Sequence, residues 1–252
     1  MSGSELPLGA GLGSSAAFCV AMSAALLHFS KELNFSDQTA LIQDPECRIP
    51  DDPSLYLVNR WAFAAETLLH GTPSGIDNSV STFGQALLYN KNEKEQFQLI
   101  KNFPKLVALV TNTGIRRDTR KLVEKVKFLR EELPSVVNKI FDSISNISIT
   151  FYDAINSSKL EFSLLDRLVE INHNLLRCLG VSHPEIESIR EKLDKKGITT
   201  KLTGAGGGGC TLSFFPRDMI EIVRAIEPEL HDCGFSSFIS EIGGVGVTIH
   251  TK

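Results

Sequence analysis

Pro7-Leu8-Gly9-Ala10-Gly11-Leu12-Gly13-Ser14-Ser15-Ala16-Ala17 alternates glycine with small residues, then hands over to two serines and a long apolar run. Glycine lets a backbone enter φ > 0 and approach another group closely, and serine suits a helix N-cap. The stretch that follows is dense in Ala, Leu and Met, so a helix is expected over Ser14–Phe29. A glycine loop feeding a helix start presents free N–H groups and a positive dipole end, which together form an anion site. The run lacks the Gly-Lys-Ser/Thr ending of the P-loop. It also lacks the third glycine of the dinucleotide fingerprint. It reads as a phosphate loop of another kind, with a ligand-free strand-to-helix turn as the alternative.

Outward from this loop, the pattern continues as separate groups of helices and strands. A second helix is expected from Ser54, as its cap, to about Leu69, with Gly71 as its stop. Lys31–Pro53 reads as a surface excursion, and Gly71–Gly84 as a loop with short structured pieces. Ala86–Tyr89, Phe97–Ile100 and Leu106–Thr113 read as strands. Four helices then follow from Asp118 to about Gly197, broken near Pro134, Ser157–Ser158 and Gly180–Pro184. One carries Leu122, Val126 and Leu129 as its stripe. Another carries Leu164, Leu168, Ile171, Leu175 and Leu179. Strands at Ile198–Leu202 and Thr211–Phe215, a helix at Asp218–His231, and strands at Phe235–Glu241 and Val245–His250 close the chain. Grouped elements, without strict alternation, indicate an α+β fold. Two domains are expected, residues 1–95 and 96–252.

The composition bounds the partners. A net charge of −4 gives no general attraction to nucleic acid or an anionic membrane, so anion binding must be local. No apolar run approaches the about 20 residues needed to span a membrane. Five scattered cysteines without a CxxC fit reduced thiols in a cytoplasmic protein better than a disulfide framework or a zinc site.

Three further constellations can carry chemistry. In His70-Gly71-Thr72-Pro73-Ser74-Gly75-Ile76-Asp77-Asn78, the Asp77 carboxylate can accept a proton from a substrate hydroxyl. The same Asp-Asn pair also reads as turn chemistry, which residue type alone favours. Glu66 sits on an apolar helix face, where a carboxylate is costly unless paired, metal-bound or reaching solvent at the rim. A hard Mg²⁺ takes oxygen ligands, so a Glu and a Ser hydroxyl beside phosphates suit it. Lys201-Leu202-Thr203-Gly204-Ala205-Gly206-Gly207-Gly208-Gly209-Cys210 lies between two strands and reads as a close backbone approach rather than a linker. Arg116-Arg117-Asp118-Thr119-Arg120-Lys121 opens a helix, as a substrate contact or as a solvated basic turn.

Taken together, these residues resemble one family. Pro7–Ala17 resembles the central phosphate-loop motif of the GHMP small-molecule kinases. His70–Asn78 and Lys201–Cys210 resemble two further signatures of its mevalonate kinase branch, and Thr111–Thr113 and Arg117–Arg120 match in the same order. The resemblance implies the two-domain architecture of that family, with the N-terminal domain incomplete, and ATP-dependent phosphorylation of mevalonate to 5-phosphomevalonate in isoprenoid and sterol synthesis. It implies Asp77 as catalytic base, and Gly9, Ala10, Gly11, Leu12, Gly13, Ser14 and Ser15 around the ATP phosphates. It further implies Ser15 and Glu66 on Mg²⁺, and Arg117, Thr119, Gly204, Ala205 and Gly206 near the substrate. A homodimer is compatible with it.

One departure stands out. The family carries a long segment before this loop, with a lysine beside the catalytic aspartate, whereas Lys31 is the first lysine here. The expectation is the C-terminal two-thirds of such an enzyme, folding poorly over residues 1–90 and impaired in turnover. The alternatives are another GHMP kinase, or a silent ligand-binding protein of the same fold.

Overall fold

The computed structural model describes residues 12–33, 53–71, 73–90, 97–100 and 103–248. The chain forms two compact units. Among the described residues, the first comprises 13–33, 53–71, 73–90, 97–100, 103–105 and 243–248; the second comprises 12 and 106–242.

In the first unit, helix α1 (Ser14–Phe29) packs on helix α2 (Pro53–His70). The contact is made by Cys19, Val20, Ala24 and Leu27 with Leu33, Val58 and Ala62. Helix α1 is apolar on its outer side too, where Phe18, Met22, Leu26 and Phe29 are exposed. Its bounds are those expected, but the cap differs. Gly13, left-handed at φ 72°, occupies the cap without a side-chain bond, and Ser14 is the first helical residue. Ser54 likewise lies inside α2, which begins at Pro53, a residue suited to a first turn. Gly71, at φ 81°, donates its N–H to Thr67 O and ends α2 as anticipated.

Gly71–Gly84 is not simply a loop. Ile76–Phe83 forms helix α3, capped by Gly75 at φ 80°, with Asn78, Ser79 and Thr82 on its buried face. Strands β1 (Ala86–Tyr89) and β2 (Phe97–Ile100) form an antiparallel ribbon from Ala86↔Ile100 to Tyr89↔Phe97. The expected closing strand Val245–His250 is reduced to a bridge between Val245 and Gly84, and Val247 N–H donates to Thr82 O. Glycines allow a close backbone approach at this crossing: a Cβ on Gly246 would lie 2.1 Å from Thr82 O. Residues 249–252, and residues 34–52 of the expected surface excursion, lie outside the described residues.

The second unit is built on an antiparallel sheet. Its strands are β3 (Leu106–Asn112), β4 (Thr200–Leu202), β5 (Cys210–Phe214) and β6 (Ser236–Ile242), in the order β4-β5-β3-β6. Central β3 is buried on both faces, which is why it reads as a continuous apolar run. Helices α4 (Thr119–Glu132), α5 (Pro134–Asn156), α6 (Phe162–Cys178) and α7 (Pro184–Asp194) precede β4, and α8 (Ile220–Asp232) precedes β6. Val107 and Leu109 of β3 join Ile189, Leu193, Val223, Ile226 and Leu230 in the main core. Val110 faces the other way, with Cys210, Leu212, Phe238 and Leu12. A third cluster, Val137, Leu179, Val181, Ile186 and Leu202, gathers Leu122, Val126 and Leu129 of α4 as expected.

The stripe of α6 is rotated from the expected one. Leu165, Leu168, Val169 and His173 are buried, while Ile171 is 51% exposed. A buried histidine in the phase of the apolar residues displaced the reading. The all-antiparallel pairing and grouped elements make the fold α+β.

Candidate functional site

The first unit gathers its chemistry at the amino end of α1. Gly9, Ala10 and Gly11 lie outside the described residues, so the loop is visible from Leu12 onward. At Gly13 the carbonyl accepts from Ala17 N–H at 2.9 Å, which starts the helical ladder. A Cβ on Gly13 would lie 3.5 Å from Cβ and Cγ of Asp77 and 3.8 Å from its Oδ2. The carboxylate of Asp77 therefore stands beside the start of α1, next to the N–H groups that the helix leaves without intrahelical partners. Asp77 is itself exposed, in the first turn of α3. Ser15 is half-buried in the first turn of α1.

Behind Asp77 runs a buried amide cluster. Asn78, 1% exposed, donates Nδ2–H to Asn59 Oδ1 at 2.6 Å. Thr82 Oγ1 donates to Asn78 O at 2.8 Å, and Asn59 Nδ2 donates to Ser79 Oγ at 3.4 Å. Asn59 on α2 thus holds the first two turns of α3, and with them the direction of Asp77. Sequence reasoning missed this residue. A signal was present: Asn59, Ala62 and Glu66 share one stripe of α2 at helical spacing.

Glu66 is 6% exposed, which removes its solvent-rim alternative. Among the described residues no salt bridge to it is seen. Burial, and then the nearby Glu66 carboxylate, push the Cys19 thiol above its ordinary pKa. Cys19 lies one turn after Ser15 on α1 and packs in the α1–α2 contact. A serine hydroxyl and a carboxylate are hard oxygen donors, the kind that suits a divalent cation such as Mg²⁺.

In the second unit, the 203–209 loop is held from three directions. Thr113 Oγ1, just past β3, donates to Gly209 O at 2.9 Å, and Gly209 N–H donates to Ile115 O at 3.1 Å. Gly207 N–H donates to Val181 O at 2.8 Å. Arg117 Nη1 donates to Thr203 O at 3.3 Å and would lie 2.6 Å from a Cβ on Gly204. Gly206, at φ 78°, passes so near Val181 that a Cβ would stand 2.1 Å from its carbonyl oxygen. Only glycine fits there. The structure therefore brings Arg117 onto Gly204, as a brace of the loop. Thr119 opens α4, exposed, after Asp118, whose carboxylate caps the helix through Lys121 N–H. That bond is the main cause holding the Asp118 carboxyl below its usual pKa.

Family models match both parts of the chain: the GHMP kinases N terminal domain over residues 2–85, and the GHMP kinases C terminal region over residues 156–231. The chain belongs to the GHMP kinases. Among members of this family, the mevalonate kinase of Candida albicans is 38% identical over 98% of this chain and 58% of its own length. The mevalonate kinase of Homo sapiens is 36% identical over 98% of this chain and 62% of its own. Among solved structures, L. major mevalonate kinase in complex with R-mevalonate superposes with a TM-score of 0.75 at 28% identity, over 93% of this chain and 67% of that one. This GHMP kinase chain thus spans about three-fifths of the length of these curated relatives.

Proposed function

We propose that the chain transfers the terminal phosphoryl group of ATP to the primary hydroxyl of mevalonate, giving 5-phosphomevalonate. The observation that carries this reading is the Asp77 carboxylate beside Gly13 at the amino end of α1. An acceptor for a hydroxyl proton there stands next to a cradle for phosphate oxygens. Phosphoryl transfer needs little more than such positioning and charge neutralisation. The 35–39% identity to curated mevalonate kinases supports mevalonate over other alcohols.

In this reading Asp77 accepts the hydroxyl proton as the oxygen attacks the γ-phosphorus. Gly9 to Ser15 orient the phosphates through backbone N–H groups. Ser15 and Glu66 hold Mg²⁺, which when bound neutralises charge on the ATP oxygens. Asn59 and Asn78 keep α3 from rotating Asp77 away. Arg117 and Thr119 and the Gly204–Gly206 backbone shape the substrate end, with Arg117 acting through the loop it braces. Residues 1–95 and 96–252 serve as the phosphate-loop domain and the C-terminal domain. The net charge, the cysteine pattern and the absence, among the described residues, of a helix able to cross a membrane support a cytoplasmic enzyme, which we propose acts as a homodimer.

The test is ATP-dependent phosphorylation of mevalonate by the chain, against a panel containing galactose and homoserine. Asp77→Asn is expected to lower kcat by about 10² or more, the usual contribution of a positioned base, with KM for mevalonate little changed. Unchanged turnover in that variant sinks Asp77 as base. Turnover only with another acceptor moves the reading to a different GHMP kinase, and binding without turnover to a silent member.

A further inference from the structure

The second unit carries a buried polar chain that the proposed reaction does not use. His173, on α6, is fully buried. Its Nδ1 faces the backbone N–H of Leu202 at 3.2 Å, and its Nε2 lies 3.1 Å from Glu187 Oε1. A backbone N–H can only donate, so Nδ1 must be the unprotonated nitrogen, and the ring proton belongs on Nε2, donated to Glu187. Glu187 also accepts from Ser182 Oγ, and its Oε2 lies 3.3 Å from Arg177 Nε.

Both ends of this chain reach the glycine-rich loop. Leu202 is the last residue of β4, immediately before Thr203. Ser182 follows Val181, whose carbonyl accepts from Gly207 N–H. His173 therefore ties the entry of the 203–209 loop to the turn that holds its middle. We propose that neutral His173 is a positioning residue for this loop, and that its protonation releases the loop. A second proton would sit on Nδ1 and set N–H against the Leu202 N–H. The inference rests on the reading of the loop as part of the phosphoryl-transfer site.

The charged groups around the ring are Glu187 and Arg190 from α7 and Arg177 from its own helix, while β4 contributes the Leu202 amide. Burial, the largest influence, holds the ring's pKa below its ordinary value despite the Glu187 carboxylate. The loop is thus locked at neutral pH and is released only below about pH 6.5.

The experiment uses the full chain and two variants, His173→Asn and His173→Ala. Asparagine places an uncharged acceptor near the position of Nδ1; alanine removes it. Ring ¹⁵N shifts at about pH 7.5 are expected to show Nδ1 unprotonated and Nε2 protonated. Amide exchange at Leu202 and Gly207 should accelerate about tenfold in His173→Ala, and remain near that of the parent in His173→Asn. In the parent the same amides should lose protection as pH falls below about 6.5, and in His173→Asn they should not. In the mevalonate assay, kcat/KM should fall about tenfold in His173→Ala and recover in His173→Asn, whose acid limb lies lower than the parent's.

A proton found on Nδ1 overturns the proposal, as does unchanged Gly207 exchange in His173→Ala. Should the alanine variant not fold, His173→Asn decides: lost protection at Leu202, or the parent's acid limb, overturns it. A parent chain without turnover defeats the functional reading, and the loop's catalytic part with it. Unaltered exchange beside normal turnover defeats the role of His173 alone.

Discussion

At the scale of single residues, the site divides into groups that chemistry exposes and groups that only packing explains. Asp77 and Glu66 stand out in the sequence because a carboxylate in a glycine-proline frame, or on an apolar helix face, needs a reason. Asn59 does not stand out, since a polar residue on a helix usually faces water. Its role appears only once α3 lies against α2 and the Asn78 amide needs an acceptor. Replacing Asn59 by alanine leaves that buried amide unpaired. The expected cost is about 1–3 kcal/mol in chemical denaturation, with kcat reduced because α3 no longer fixes Asp77. Asn59→Asp, which keeps an acceptor, should recover more of kcat than of stability. If Asn59→Ala loses stability without loss of kcat, the residue is structural only.

Lys201 makes the opposite case, a charge where none is needed. Among the described residues its ammonium reaches only the carbonyl of Leu202, at 3.0 Å, and burial lowers its pKa. A lysine with a lowered folded-state pKa disfavours folding while it is charged. Stability should therefore rise as pH increases toward the ordinary lysine value of about 10.4. Lys201→Met should raise the midpoint of thermal unfolding near neutral pH and flatten its alkaline rise. A lower midpoint at every pH would mean the ammonium makes a favourable interaction in the fold.

Among the elements, α1 and β3 were legible because local pattern and tertiary role agree in them. Helix α1 is rich in helix formers, and β3 is an apolar run buried on both faces. Helix α3 was not legible, because Ser-Gly-Ile-Asp-Asn-Ser is turn chemistry by residue type. Gly75, in a left-handed conformation, converts it into a helix start, and the Asn78 amide, Ser79 and Thr82 are hydrogen-bonded to Asn59. The closing segment shows the reverse: Val245–His250 alternates like a strand, but among its described residues it forms only the bridge of Val245 with Gly84. The loops were legible as close approaches, though not what they approach. Gly206→Ala supplies the test at this scale. With a Cβ 2.1 Å from Val181 O, the loop must leave its position, and left-handed φ adds about 1 kcal/mol or more. kcat/KM should fall more than tenfold, and the Gly207 amide should lose its protection. Gly114→Ala has the same sign of φ but meets nothing within 4 Å, so it should cost only the backbone term. Equal effects at the two positions would show that contact with Val181 does not matter.

Over the whole molecule, the two units differ in what holds them against pH, and the single tryptophan, Trp61 on α2, allows them to be followed separately. The first unit rests on apolar residues between α1 and α2, and buries Glu66 on α2. The second has the chain Leu202–His173–Glu187–Ser182 threaded through its core. His173 has a folded-state pKa below its unfolded one. Below about pH 6.5 the unfolded chain takes up a proton that the folded unit refuses, and stability falls by up to about 1.4 kcal/mol per pH unit until the folded ring titrates. Glu187 is held below the usual carboxylate range, with hydrogen bonds from Ser182 and His173 outweighing its burial. Its contribution is present at neutral pH and is lost as pH falls through the range below about 4.3. Acid should therefore weaken the second unit in two successive steps. Urea unfolding followed by amide exchange in β3 and β4 should show the upper step, while Trp61 fluorescence, reporting the first unit, should not. His173→Asn should erase the slope that sets in below about pH 6.5 and leave the lower step in place. A slope of the same size in that variant would assign the proton to another group, and an identical slope in Trp61 fluorescence would mean that the two units unfold as one.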